Sequence, residues 1–114
     1  MLVIGIDPGT ARTGYGLVRL SEAESLELVD YGVISTSADQ PMSDRLSRLY
    51  ESLTQLLSKY QPDSAAVEKL FHQRNVSTAL TVGQARGVAL LALAQAGAPV
   101  VEYNPRVVKQ AVTG

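Results

Sequence analysis

Two short apolar runs in the chain each stop on an acid. Leu2-Val3-Ile4-Gly5-Ile6 ends at Asp7, and Ala65-Ala66-Val67 ends at Glu68. Neither run alternates, and near-continuous apolar sequence of this length marks strands covered on both faces, as in parallel sheets. Between them, Gly14 to Leu20 and Leu26 to Thr36 alternate well enough for two more strands, separated by the polar, acidic turn Ser21 to Ser25. With a loop around residues 8 to 13 these predict an antiparallel meander built on the first strand. After a connecting loop from Ser37 to Pro41, Leu46, Leu49, Tyr50, Leu53, Leu56, Leu57 and Tyr60 recur at helical spacing, on a helix that Ser43 caps and Pro62 ends. A helix of that length suits a crossover to a strand parallel to the first, which places Ala65 to Glu68 beside it.

Phe71 to Asn75 reads as a polar loop, and a second helix runs from about Ser77 to Ala96, with Gly97 as a left-handed stop. Interior glycine costs about 1 kcal/mol in a helix. Gly83 and Gly87 are therefore expected to pack closely on another backbone, within the core rather than against a second subunit. Pro99 to Tyr103 is a fifth strand. Asn104-Pro105 starts a last helix, with Val107, Val108, Ala111 and Val112 on its buried side and Arg106 and Lys109 on another. That helix has no element to follow it, which points to further chain. The expected architecture is a single α/β domain over residues 1 to 114 that lacks its carboxyl-terminal part. Its mixed five-stranded sheet, in order 3-2-1-4-5 with helices on the faces, is the ribonuclease H-like arrangement.

Composition narrows the classes. The chain has 114 residues, 46% of them hydrophobic, and no cysteine. Thiol catalysis and cysteine zinc sites are excluded, and a reducing compartment fits. No stretch approaches the roughly 18 unbroken apolar residues of a membrane span. Met1 is followed by no basic region, so the expected location is the cytoplasm, away from any membrane. Net charge is −1, yet residues 1 to 68 carry five basic against ten acidic side chains, and residues 69 to 114 carry five against Glu102 alone. An excess of cations that begins right after Glu68 is the kind of asymmetry that marks a phosphate-contacting face, or a chance cluster of solvated side chains.

In the predicted sheet Asp7 and Glu68 emerge together at the carboxyl edge, where open α/β sheets bind their ligands. Adjacent carboxylates repel, and a hard divalent cation removes the repulsion. Magnesium takes one or two carboxylates plus water and phosphate oxygens, and a two-ion site of that kind cuts phosphodiesters. Two acids begin such a site without completing it. Asp63 lies at the amino-terminal end of its strand, and Glu102 is a candidate whose face is open. The plainer reading of Asp7 is an Asx cap on the turn through Gly9-Thr10. Phe71 is either core or, given His72, Gln73, Arg74 and Asn75 beside it, a loop-tip aromatic on which a base stacks. His72 has no second ligand near it. Arg106 and Lys109 are solvated helix charges or phosphate contacts, and the edge favours phosphate for Lys109.

Gly5-Ile6-Asp7-Pro8-Gly9-Thr10 with Thr13-Gly14-Tyr15-Gly16, Val67-Glu68 with Phe71 and Asn75, Gly83-Gln84-Ala85-Arg86-Gly87-Val88, and Val107-Val108-Lys109-Gln110 together resemble the RuvC family of Holliday-junction resolvases. The resemblance implies a homodimer that binds four-way DNA junctions and nicks two strands symmetrically with Mg2+, Mn2+ being a substitute, alongside the RuvA and RuvB branch-migration proteins. It assigns catalysis and metal binding to Asp7 and Glu68. Phe71 would enter the junction, Arg12, Arg74, Asn75 and Lys109 would contact DNA, and the glycine-rich helix would contribute to the dimer. The family carries two more catalytic acids beyond the position of Gly114, so these 114 residues alone are expected to cut little. Two other readings share the sequence. One is a nucleotide-binding domain of the sugar kinase and Hsp70 type, which has the same Gly-Ile-Asp opening; the other is a non-catalytic binding or dimerising remnant.

Overall fold

The structure, a computed structural model, describes residues 1–23, 25–68 and 76–103. Its elements are β1 (Leu2–Asp7), β2 (Arg12–Leu20), β3 (Leu26–Ser35), α1 (Met42–Tyr60), β4 (Ser64–Glu68), α2 (Val76–Gln95) and β5 (Val100–Tyr103). One five-stranded sheet runs in the order β3-β2-β1-β4-β5. β1, β2 and β3 form the antiparallel meander, and β4 and β5 extend it in parallel. The order and mixed character match the expectation. The helix expected from Asn104 onward and the Phe71 to Asn75 loop lie outside the described residues.

Alternation divides the sheet into two faces. Ile4 and Ile6 of β1, Leu17 of β2, Ile34 of β3, and Ala65 and Val67 of β4 form one core with Leu49, Leu53 and Leu57 of α1 and Ala85, Ala89, Ala92 and Leu93 of α2. Both described helices therefore lie on a single face. Val3, Gly5 and Asp7, in register with Ser64 and Ala66 and followed by Glu68, point to the other face, which no described helix covers.

α1 departs from the expected start. Ser43 lies inside the helix; Pro41 holds the cap position, and its carbonyl accepts the N–H groups of both Asp44 and Arg45 at 3.1 Å. A proline fits there because it has no N–H to satisfy and its φ is already set. At the far end Gln61 turns left-handed (φ 47°) and returns its N–H to the Leu57 carbonyl at 2.8 Å. The next residue, Pro62, cannot continue the helix. Two tyrosine side chains help fix α1 to its neighbours. Tyr60 donates its hydroxyl to Asp30 Oδ2 of β3 at 2.6 Å, and Tyr50 donates to the side-chain carbonyl of Gln95 at the end of α2.

α2 corrects the expectation for its glycines. Among the described residues, a Cβ placed on Gly83 or Gly87 meets nothing within 4 Å. The alanines at positions 85, 89 and 92 are buried in the core instead. The glycines fall on the outward side with Val76, Leu80 and Leu91, which are 85%, 64% and 52% exposed. An 18-residue window of α2 has mean hydropathy 1.3, long and apolar enough for a membrane span by composition alone. Here the apolar surface is divided between the core and this outer face.

Candidate active site

The site is built where β1 and β4 end. Ile6 pairs with Val67 in parallel register, so Asp7 and Glu68, the next residue of each, occupy neighbouring positions at the carboxyl edge. Parallel neighbours lie roughly 4.8 Å apart. Ile6 and Val67 point into the core, and side chains alternate along a strand. Both acids therefore belong to the uncovered face, Asp7 exposed and Glu68 half-buried. Gly14 lies opposite Asp7 on the other flank, and the Cβ it lacks would sit 3.8 Å from the Asp7 Cβ. A larger residue there would crowd the carboxylate.

The loop that carries Asp7 out of the sheet is held by threonines. The Thr13 hydroxyl, 1% exposed, donates to the Gly9 carbonyl at 2.7 Å and accepts the Gly9 N–H at 3.2 Å. Any Cβ on Gly9 would come within 2.3 Å of the Arg12 carbonyl oxygen, so the tight turn requires glycine. Thr13 thus closes the turn assigned to Asp7 in the plainer reading, and the Asp7 carboxylate makes no hydrogen bond to the turn among the described residues. Thr10 donates its hydroxyl to the Thr81 carbonyl of α2 at 3.0 Å, and its own carbonyl accepts the Thr36 hydroxyl at 2.5 Å. Arg45 Nε–H donates in turn to that Thr36 hydroxyl at 3.0 Å. A cationic donor polarises the hydroxyl it bonds and strengthens the next bond along. Sequence reasoning missed this clamp, although the Gly9-Thr10 and Thr13 spacing carried the signal for part of it.

The remaining candidates sort by position. Arg12 opens β2 opposite Ser35, exposed and on the same rim as Asp7. Asp63 is structural: at the opposite rim its Oδ2 accepts the Leu2 N–H at 2.7 Å. The Glu102 backbone pairs with Val67, one register step short of the edge. Phe71, His72, Arg74, Asn75, Arg106 and Lys109 lie outside the described residues. No group of three or more metal-ligating side chains occurs among the described residues. Two adjacent carboxylates on an open rim still offer the hard oxygen donors that a magnesium-like ion takes, together with water and phosphate. A cavity of about 420 Å³ between the ends of α1 and α2, lined by Thr54, Ser58, Gln61 and Gln95 among others, is at the opposite rim and holds no titratable group.

The family model for the crossover junction endodeoxyribonuclease RuvC matches residues 3–114. The crossover junction endodeoxyribonuclease RuvC of Chloroflexus aggregans is 58% identical over 114 residues, covering 100% of this chain and 69% of that protein. The solved structure of T. thermophilus RuvC in complex with Holliday junction substrate is 36% identical, with a TM-score of 0.88 over 96% of this chain and 70% of that one. The yeast mitochondrial Holliday junction resolvase Ydc2, 20% identical with a TM-score of 0.65, shares the fold.

Proposed function

Because the chain belongs to the RuvC family of crossover junction endodeoxyribonucleases, we propose that it supplies the amino-terminal part of a nuclease that resolves four-way DNA junctions by paired symmetric nicks in recombination and repair. The family's members are hydrolases that depend on a divalent metal. The observation that carries the reading here is the parallel pairing of Ile6 with Val67, which brings Asp7 and Glu68 together on the uncovered face of the sheet.

Asp7 and Glu68 would hold the ion, Mg2+ by our reading, with Mn2+ as a substitute. When bound, such an ion activates water and stabilises the leaving oxygen of a phosphodiester. The protein's own part is to hold the two carboxylates at fixed spacing: β1 and β4 set one dimension, and the threonine clamp on the 8–13 loop sets the other. Gly14 keeps the approach to Asp7 open. Two acids hold part of a two-ion set, so efficient cutting is expected of a chain with further carboxylates and little of these 114 residues alone.

The outward face of α2 supports a homodimer. Val76, Leu80 and Leu91 flank a notch at Gly83 and Gly87 that nothing among the described residues fills, and a second copy would bury them. RuvA and RuvB as partners, and a cytoplasmic location, follow from the family reading. The decisive experiment supplies Mg2+ or Mn2+ and a labelled four-way junction to this chain and to one extended to its relatives' length. The extended chain cuts, and Asp7→Asn abolishes cutting while junction binding persists. Cutting by Asp7→Asn at the unaltered rate would remove Asp7 from the site, and an extended chain that binds without cutting would favour the non-catalytic reading.

A further inference from the structure

We propose that Arg12, Arg45 and Arg48 form a phosphate-binding strip that carries one DNA arm from the acid pair across the β3 end of the rim. The proposal rests on the DNA-binding reading above and adds residues to it. Arg45 and Arg48 of α1 are anchored on Thr36 and Ser35, and Arg12 of β2 is the register partner of Ser35. Arg48 Nε–H donates to the Ser35 carbonyl at 3.0 Å, and Arg45 Nε–H to the Thr36 hydroxyl at 3.0 Å. Thr36 is tied back to the loop after Asp7, its N–H donating to the Ala11 carbonyl at 3.0 Å.

Geometry and charge both suit phosphate. A guanidinium has five N–H donors in a rigid fork. Arg45 and Arg48 each use the Nε–H for docking, so four remain on each, and the anchoring bond fixes the fork before any ligand arrives. No carboxylate lies within 4.0 Å of the three guanidinium groups among the described residues. Asp39 and Asp44 share this end of the molecule, both exposed, and neither forms such a pair. Most other acids of the first 68 residues lie elsewhere: Glu22 and Glu27 flank the β2–β3 turn at the opposite rim, Asp63 binds Leu2 there, and Asp30 is held by Tyr60. Three of the four arginines in this half of the sequence therefore lie on the side of the acid pair, and the fourth, Arg19, is in register with Leu2 and Glu27 at the opposite rim. Arg12 also shares the face of Asp7. It precedes Gly14, the partner of Asp7, by two residues, roughly 7 Å along the strand.

The test is anisotropy titration of a labelled four-way junction and of a linear duplex over a salt series. Removing one phosphate contact lowers the slope of log affinity against log salt by about 0.9. The Arg12→Gln, Arg45→Gln, Arg48→Gln triple variant is expected to lose roughly 2 to 3 from that slope and at least about tenfold in affinity. Arg45→Lys with Arg48→Lys, which preserves charge, keeps the slope. Thr36→Val removes the docking bond of Arg45 and leaves its charge, so the slope stays. A triple variant with the wild-type slope overturns the proposal, as does a Thr36→Val slope reduced as far as that of Arg45→Gln, which would make the role structural. If the triple variant fails to fold by circular dichroism, Arg12→Gln decides alone, because the substitution breaks no side-chain bond of Arg12. A wild type that binds junction and duplex equally defeats the junction reading while the slope still judges the strip. No binding to either DNA defeats both.

Discussion

Thr10 donates its hydroxyl to the main-chain carbonyl of Thr81 across 3.0 Å, and this one bond ties the loop that follows Asp7 to the helix that follows Glu68. Asp7 ends a strand of the antiparallel meander and Glu68 ends the strand that precedes α2, so the bond joins the two parts of the fold at the end where the acids lie.

Thr10→Val keeps the shape of the residue and removes the donor. It is expected to lower stability by about 1 kcal/mol, measured by urea unfolding, and to speed amide exchange in the 8–11 segment beyond that global change. Thr10→Ser restores both. Equal exchange in the valine variant and the wild type would show that Thr13 and Thr36 secure the loop without it.

The acid pair should report itself without any cutting. Mn2+ added to isotopically labelled chain is expected to broaden resonances around Asp7 and Glu68, and EDTA to reverse the effect. Asp7→Asn with Glu68→Gln should abolish the broadening and leave the fold intact. Asp7 has an exposed side chain, so its replacement costs little packing.

Asp30 and Tyr60 give stability a pH dependence at both extremes. The hydrogen bond from Tyr60, then the Tyr31 N–H, hold the Asp30 carboxyl below its ordinary 3.8, and the bond to Asp30, then desolvation, hold the Tyr60 hydroxyl above its ordinary 10.0. The depressed carboxyl contributes stability that is present above about pH 4 and lost as pH falls through its folded value. The raised phenol contributes stability that is present below about pH 10 and lost as pH rises through its folded value. Tyr60→Phe should flatten both limbs in melts across pH. Unchanged limbs would place the dependence in other groups.

Gly83→Ala and Gly87→Ala separate helix propensity from assembly. No atom of the described residues lies within 4 Å of either new methyl, so each substitution should stabilise the monomer, by up to about 1 kcal/mol. If a second copy fills the notch, the same substitutions weaken the dimer, and Leu80→Glu weakens it further. Sedimentation across a concentration series, beside thermal melts, reads both effects.

Strand order and both described helices were legible because local patterns sufficed: unbroken apolar runs for β1 and β4, a seven-residue stripe for α1, and Gly97 as a stop. The pairing of Asp7 with Glu68 was legible too, since each acid ends its own run and the crossover forces parallel register. What escaped depends on which way a helix is turned. α2 is apolar nearly all round, so its sequence does not say that the alanines face inward and the glycines outward. The cap of α1 escaped because a main-chain carbonyl on Pro41 does the work that Ser43 was expected to do. The arginine strip was hidden by counting charge along the chain, where Arg12 and Arg48 are 36 positions apart, although one strand end brings them together.

The division of the sheet into a face packed by both helices and a face bearing the two carboxylates separates durability from chemistry. Asp7 can be exchanged for its amide with the hydrophobic layer beneath it undisturbed, so a chemically silent copy should melt where an intact one does. Thermal screening of variants will therefore rank the scaffold and pass over the chemistry, and lineages that lose the acids can keep the shape and whatever that shape still recognises.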